Sequence, residues 1–521
     1  MHSNHFLLLG LLLFFVACTK DSMEPLPGEK GAPAPSDPLS VQEIDAVVLE
    51  KLRANQEFRW SMVTTEVAWS ALVNSDSLLS IGYQPASAGD ITEKMHLIDL
   101  QDPEWVAARR KVMERIVAIQ NATENRQGSD DELEVYISER MPSLQNKTGK
   151  YAILAALREL PEVRYVEPLG YGQSWAAAVE RSGSGCNNDP LNSLPNGDFT
   201  NFSPNGIAPW NYDNLRVKQA WNTSQGAGIT VGLIDTGVSG GQDNLGSKFA
   251  TGSSTGRTIE KYSTYVTCSG WWWWRNCTNA GPNDQCGHGT RMAGLIAAPL
   301  GTNTLSTMGV AYRANLISYR GTGDVIINSS IERQCVSDAL YDLGARGDVD
   351  IISMSIGDVF FNGQVADAVY YAYGQGKLIF AAAGTSTWFT NWVGVIFPAN
   401  LSQTVAVTGV TDRSGLKECN NCHYGSAVDF AVVMQRDSDS DRNSLTLSNQ
   451  DASPINWPSY TGGSSCATAT MAGIAAVVWA KNAGQSRSSV INKLKQASSE
   501  YPSRDSDFGW GKINVELATS F

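Results

Sequence analysis

Short, almost uninterrupted apolar runs recur through the second half of the chain, at residues 229–234, 316–319, 350–354, 378–383, 405–410 and 428–433. Between them lie stretches with helical spacing of apolar positions, at 288–298, 331–345, 365–373 and 465–480. Apolar runs too short for helices suit strands covered on both faces, and their alternation with helices predicts an α/β fold with a doubly wound parallel sheet. Ligands of such sheets bind beyond the carboxyl ends of the strands, so the chemistry is expected there. The first third reads differently. Residues 40–120 carry helical periodicity, clearest at 105–119, where Val106, Val112, Met113, Ile116 and Val117 share one face. A strand–helix–strand pattern follows at 133–138, 148–160 and 163–167, and then a loop rich in Gly, Asn, Ser and Pro over 170–209.

Composition narrows the classes. With 521 residues and roughly 150 residues per domain, the chain has room for a large core in more than one domain. The 39 basic and 52 acidic side chains give a net charge of −13 without a Lys/Arg run, which argues against a nucleic-acid surface or a polybasic membrane patch. An apolar fraction of 42% excludes global disorder. Residues 6–17 are uncharged and Leu-rich, long enough for a signal-peptide core and shorter than a membrane span. The closing Phe15-Val16-Ala17-Cys18 resembles a bacterial lipoprotein signal, which implies lipid on Cys18, with ordinary signal cleavage as the alternative. Residues 1–17 are thus expected to be removed and 18–39, rich in Pro and Gly, to form a tether. The expected location is outside the cytoplasm, at the cell envelope or free. Export makes the remaining cysteines disulfide candidates: Cys268 with Cys277, Cys419 with Cys422, and one pair among Cys186, Cys286 and Cys335, with Cys466 a free thiol. Zinc held by two Cys pairs is the competing reading.

Three stretches carry candidate chemistry. Val231-Gly232-Leu233-Ile234-Asp235-Thr236-Gly237 ends an apolar strand in a carboxylate, which needs a partner if buried. Gly287-His288-Gly289-Thr290-Arg291-Met292-Ala293-Gly294 sets a histidine at a loop–helix junction, and Gly462-Gly463-Ser464-Ser465-Cys466-Ala467 opens a small-residue helix with a serine. Of five histidines, only His288 and His423 lie in the α/β region, and His288 is the better placed base for a serine.

In this order, Asp…His…Ser, the motifs resemble those of the subtilisin-like serine proteases, the subtilases. The resemblance runs from about residue 210 to the C-terminus and includes Phe508-Gly509-Trp510-Gly511-Lys512-Ile513-Asn514. It implies a serine endopeptidase working through an acyl-enzyme: Ser465 as nucleophile, His288 as general base and then acid, Asp235 as orienter of the imidazole. Ser353-Met354-Ser355-Ile356-Gly357 resembles the family's substrate-cradling strand end, so Ser355, Ile356 and Gly357 are expected to bind an extended peptide. Asp358 beside them is either a selector of basic side chains or a solvated carboxylate. No cofactor is implied for catalysis. Structural calcium is implied as an option, with Asp437, Asp439 and Asp441 as candidates against a merely solvated acidic loop.

The chain also departs from the family. Ala383-Gly384-Thr385 only partly matches a motif that ends in an oxyanion-binding Asn, leaving Thr385 or Asn391 as the expected donor. Ser464, Cys466, Ala469 and Thr470 replace the usual neighbours of the nucleophile. The run Trp271-Trp272-Trp273-Trp274 is either an aromatic rim at the cleft or a self-packed loop. Upstream, 126–170 resembles an inhibitory propeptide, preceded by a helical pro-region at 40–125 and followed by a linker at 171–208 with a processing site, then a catalytic domain at 209–521. The expectation is a zymogen whose partners are peptide or protein substrates and its own propeptide. The alternatives are a catalytically silent peptide- or glycan-binding lipoprotein and a metal-dependent hydrolase, the last weakened by the lack of an HExxH motif.

Overall fold

The computed structural model describes residues 35–124, 135–172, 186, 190–191, 193–269, 276–301, 306–385, 393–449 and 458–521. The N-terminal part holds helices α1 (Val41–Asn55), α2 (Thr65–Val73), α3 (Pro103–Glu124) and α4 (Tyr151–Arg158). These accompany strands β1 (Leu78–Tyr83), β2 (Val135–Ile137), β3 (Ser143–Lys147) and β4 (Val163–Pro168), which form one antiparallel sheet in the order β2-β3-β1-β4. Capping locks the first helix. Ser40 accepts from the Glu43 N–H while the Glu43 carboxylate accepts from the Ser40 N–H, so two otherwise unpaired donors are satisfied.

Strand β1 corrects the expectation of two successive units, 40–125 and 126–170. Leu78–Tyr83 lies in the stretch read as helical, yet it pairs with both β3 and β4, so the two stretches fold as one sheet-and-helix unit. Leu79, Ile81 and Tyr83 are fully buried beside Ile44, Leu72, Ile116 and Leu154, and this burial outweighs the local helical bias.

The larger part is built on seven parallel strands: β7 (Thr230–Asp235), β8 (Ile259–Ser263), β11 (Asn315–Arg320), β12 (Ile351–Met354), β13 (Leu378–Ala382), β14 (Val405–Thr411) and β15 (Phe430–Gln435). Their order is β15-β14-β13-β12-β7-β11-β8, each neighbour pair parallel. Two further pairs, β5 (Phe199–Asn201) with β6 (Ile207–Pro209) and β9 (Val266–Ser269) with β10 (Asn276–Asn279), lie outside this sheet, as does the hairpin of β16 (Ser444–Leu447) and β17 (Pro458–Thr461). Helices α5 (His288–Ala297), α6 (Ser330–Ala345), α7 (Gly363–Gly374) and α8 (Gly463–Ala480) cover the faces.

The sheet is buried on both sides, with Val231, Leu233 and Phe430 in one cluster and Ile234, Ile352 and Ile379 in the other. Helix α8 is long and apolar enough to cross a membrane, but 83% of it is buried inside the protein, as a core helix is. After β7 the chain forms β8 and then β11 on one side and returns to β12 on the other, which makes the end of β7 a switch point where a crevice opens. Asp235 is its last residue.

The two parts share a core. Phe58 and Trp60 pack on Phe360 at ring distances of 5.2 and 5.7 Å, and all three are buried. Arg164 on β4 grips Asp367 on α7 through both carboxylate oxygens, at 2.8 and 2.6 Å. Glu167 accepts from the Gly363 N–H at the start of α7 (2.9 Å), where a carboxylate is favoured by the helix dipole.

Candidate active site

Asp235 is completely buried, and its Oδ1 accepts from the Thr236 N–H (2.8 Å) and from His288 Nδ1 (2.7 Å). That second bond places the imidazole proton on Nδ1 and leaves Nε2 as the basic nitrogen. His288 is the first residue of α5. Gly287 before it has φ +90°, a left-handed conformation suited to glycine. Gly289 is demanded by closeness: a Cβ there would lie 2.2 Å from the Gly237 carbonyl, so only glycine lets α5 approach the end of β7 far enough for the Asp–His contact.

Ser465 lies in the first turn of α8. Its Oγ donates to the Ser355 carbonyl (3.1 Å), and Ser355 Oγ donates back to the Ser465 carbonyl (2.8 Å). The serine proton therefore rests on Ser355 and not on the imidazole. His288 and Ser465 nonetheless line one cavity of about 400 Å³, together with Ser355, Ile356, Gly357, Gly384, Thr385, Gly463 and Arg291. A turn about the Cα–Cβ bond of Ser465 redirects its hydroxyl without backbone movement, a loose resting arrangement common in unliganded catalytic sites. The first-turn N–H groups of α8 lack helical partners and carry the positive end of its dipole.

Gly357 is already paired: its N–H donates to Val325 O (3.2 Å) and its carbonyl accepts from the Ile327 N–H (3.0 Å). Thr385 lines the cavity, and its hydroxyl contacts Ser464 Oγ at 3.1 Å. Asn391, the tryptophans Trp271 to Trp274, and Cys18 lie outside the described residues. His423 is no competitor as base: it is buried, bonds Gly394 O through Nδ1 (2.6 Å), and burial pushes its pKa down to about 4.

Neither reading of Asp358 holds. It is buried and paired with Arg333 at 2.8 Å, because two charges removed from water persist only together. Asp437 is salt-bridged to Lys417 (2.6 Å), and no group of three or more His, Cys, Asp or Glu side chains among the described residues gathers as a metal ion requires. The Asp437, Asp439 and Asp441 set therefore does not fit a calcium site. Disulfides join Cys186 to Cys286, Cys268 to Cys277 and Cys419 to Cys422, while Cys335 and Cys466 are buried free thiols. Burial lifts the Cys466 thiol to about 12, so it stays neutral beside the serine.

Asp284 escaped the sequence reading. Buried four residues before His288, it accepts from Thr236 Oγ1 (2.9 Å), the Cys286 and Gly287 N–H groups (3.0 and 2.7 Å), and the Thr290 N–H and hydroxyl (2.8 and 2.7 Å). One carboxylate thus ties the end of β7 to the start of α5. Burial raises its pKa, and these bonds work against the rise. An Asp just ahead of a helix start is a recognisable capping signal, but its link to Thr236 exists only in the fold.

Comparison with known proteins gives a consistent picture. The profile of the subtilase family matches residues 226–511. Thermitase of Thermoactinomyces vulgaris is 26% identical over 314 residues, covering 59% of this chain and 94% of that one. Subtilisin Savinase of Lederbergia lenta is 26% identical over 315 residues, 60% of this chain and 98% of that protein. Fervidolysin from Fervidobacterium pennivorans, described as a keratinolytic enzyme related to subtilisin, matches in structure with a TM-score of 0.56 over 85% of this chain and 61% of its own. At 16% identity that likeness concerns the fold.

Proposed function

Because the chain belongs to the subtilase family and is a subtilisin-like serine endopeptidase acting on peptides or proteins, we propose that Ser465, His288 and Asp235 carry its reaction. Ser465 Oγ turns from Ser355 and attacks the scissile carbonyl as His288 Nε2 takes its proton. Asp235 holds the imidazole by Nδ1 and stabilises the imidazolium. His288 then protonates the leaving amine, and water repeats the sequence on the acyl-enzyme. The oxyanion faces the first-turn N–H groups of α8, with the Thr385 hydroxyl as the side-chain donor and Asn391 as the alternative. Ser355, Ile356 and Gly357 form the wall along which the peptide lies. The observation that carries this reading is the 2.7 Å bond from His288 to Asp235 in the cavity that Ser465 also lines.

The same reading makes residues up to about 170 an inhibitory propeptide and the chain a zymogen processed in the 171–208 linker. In support, Arg333 beside the cavity wall holds the carbonyls of Leu169 and Tyr171. The backbone at Gly172 runs so close to Asn328 that a Cβ would meet its carbonyl at 2.7 Å. Asn328 directly follows residues 325–327, and Val325 and Ile326 line the cavity. Export, with a lipid on Cys18, completes the proposal. It is tested by the N-terminus of the protein expressed from the full-length chain: cleavage within 171–208 in the wild type and its loss in Ser465→Ala are expected. Identical processing of both would overturn self-cleavage.

A further inference from the structure

Arg291 stands three residues after His288 on α5. Helical side chains three apart share a face and lean toward the N-terminus, and the Arg291 Nε accordingly donates back to the Gly287 carbonyl at 3.3 Å. The guanidinium is brought over the turn that carries the imidazole. Arg291 is 5% exposed and lines the catalytic cavity, and its Nη2 has no hydrogen-bond partner. A buried guanidinium without a counter-ion is costly, by several kcal/mol in typical proteins.

Burial pushes the Arg291 pKa down and the Asp284 and Asp235 carboxylates work against this, but neither of them hydrogen-bonds the guanidinium. Asp284 spends both oxygens on Thr236, Cys286, Gly287 and Thr290. Asp235 turns Oδ1 to His288 and its buried Oδ2 has no hydrogen-bond partner, Cys466 is a neutral thiol, and the Arg291 carbonyl is fixed by Thr446 Oγ1 at 2.8 Å. Asp441 is the acidic side chain among the cavity residues, and it is exposed.

We propose that Arg291 is a specificity residue that binds a substrate carboxylate on the leaving-group side of the scissile bond, within two residues of it. This rests on the protease reading above. The side follows from the chemistry: the imidazole must protonate the departing amine, so the residues after the scissile bond lie next to His288 and hence under Arg291. Two substrates offer that carboxylate, an Asp or Glu side chain and a free C-terminal carboxylate. A charge-assisted, bidentate contact to either satisfies the unpaired donor.

The test uses protein expressed from the full-length chain and fluorogenic peptides in matched pairs. One series places Glu or Gln at the first and second positions after the cleaved bond; the other ends there as a free acid or an amide. Wild type is expected to favour the carboxylate member of one series by at least tenfold in kcat/KM, through KM. That ratio falls toward one in Arg291→Gln and Arg291→Met, recovers in part in Arg291→Lys, and shrinks with added salt. The ratio is taken within one enzyme sample, so partial misfolding of a variant cancels, and Arg291→Met keeps the apolar stem packed. A ratio near one in wild type, an unchanged ratio in both neutral variants, or an equal shift of the pH profile on both members of a pair would overturn the proposal, the last by showing that Arg291 acts through Asp235. Failure of the protease reading looks different: no peptide of any charge is cleaved.

Discussion

Ser465 and Ser355 hold each other reciprocally, each hydroxyl donating to the other's carbonyl, at 3.1 and 2.8 Å. This parks the serine off the imidazole and fixes the first turn of α8 to the end of β12. Ser355→Ala removes one of the two bonds but keeps the carbonyl that receives Ser465. A single neutral bond is worth about 1 kcal/mol, so kcat/KM on a neutral peptide is expected to change by less than about tenfold. Ser465→Ala removes the proposed nucleophile, and a loss on the order of 10⁶ in kcat is expected.

Asp284 joins Thr236 to the His288 helix start, and its replacement leaves donors stranded. Asp284→Ala strips the acceptor from three N–H groups and removes one of two acceptors from the Thr236 and Thr290 hydroxyls, which also reach Asp235 and Asn449. We expect a stability loss of about 3–5 kcal/mol in urea unfolding, measured in the Ser465→Ala background, and a fall in kcat with little change in KM in the otherwise wild-type chain.

Glu167 makes docking of the N-terminal unit pH-dependent. Burial raises its pKa to about 7 from 4.5, against the Gly363 N–H and the nearby Arg333 and Arg59, while Asp367 adds to the rise. Between those two values the docked carboxyl keeps a proton that the undocked one has lost, so stability falls as pH rises across that window. His423, held neutral with a pKa near 4, contributes the opposite slope below its ordinary 6.5, and this cancels between variants. In the Ser465→Ala background, Glu167→Gln should gain up to about 3 kcal/mol over its parent above pH 7. The gain should vanish near pH 4.5, as read by denaturation at each pH.

The disulfide from Cys186 to Cys286 closes 100 residues and anchors the chain two positions before His288. Its loss in Cys186→Ser is expected to cost about 2–5 kcal/mol and to lower kcat by loosening the Asp284 loop. Denaturant midpoints with and without reductant check this: reductant should shift the wild type further than the variant.

Much of the parallel sheet was legible because its strands are apolar on both faces, as in Val231, Leu233, Ile351, Ile352 and Phe380. Strand β8 was not, since Glu260, Lys261 and Tyr262 occupy a partly exposed sheet edge and break the apolar run. β1 was hidden for a different reason: Leu78 to Tyr83 is recruited by β3 and β4, far away in sequence. The motifs around Asp235, His288 and Ser465 stood out because glycine and small residues are needed where backbones meet closely, as Gly289 against Gly237 demonstrates. The roles of Asp284, Asp358 and Arg291 could not be read, because each depends on which partner the fold sets beside a buried charge.

The reactivity of the Ser465 hydroxyl is the most direct test of the proposed site. The protein is treated with a fluorophosphonate, and its intact mass and the labelled peptide are determined. A single adduct on Ser465 is predicted, absent in Ser465→Ala and strongly slowed in His288→Ala. A folded, processed wild type that takes no label, or that takes it equally in Ser465→Ala, would contradict the assignment.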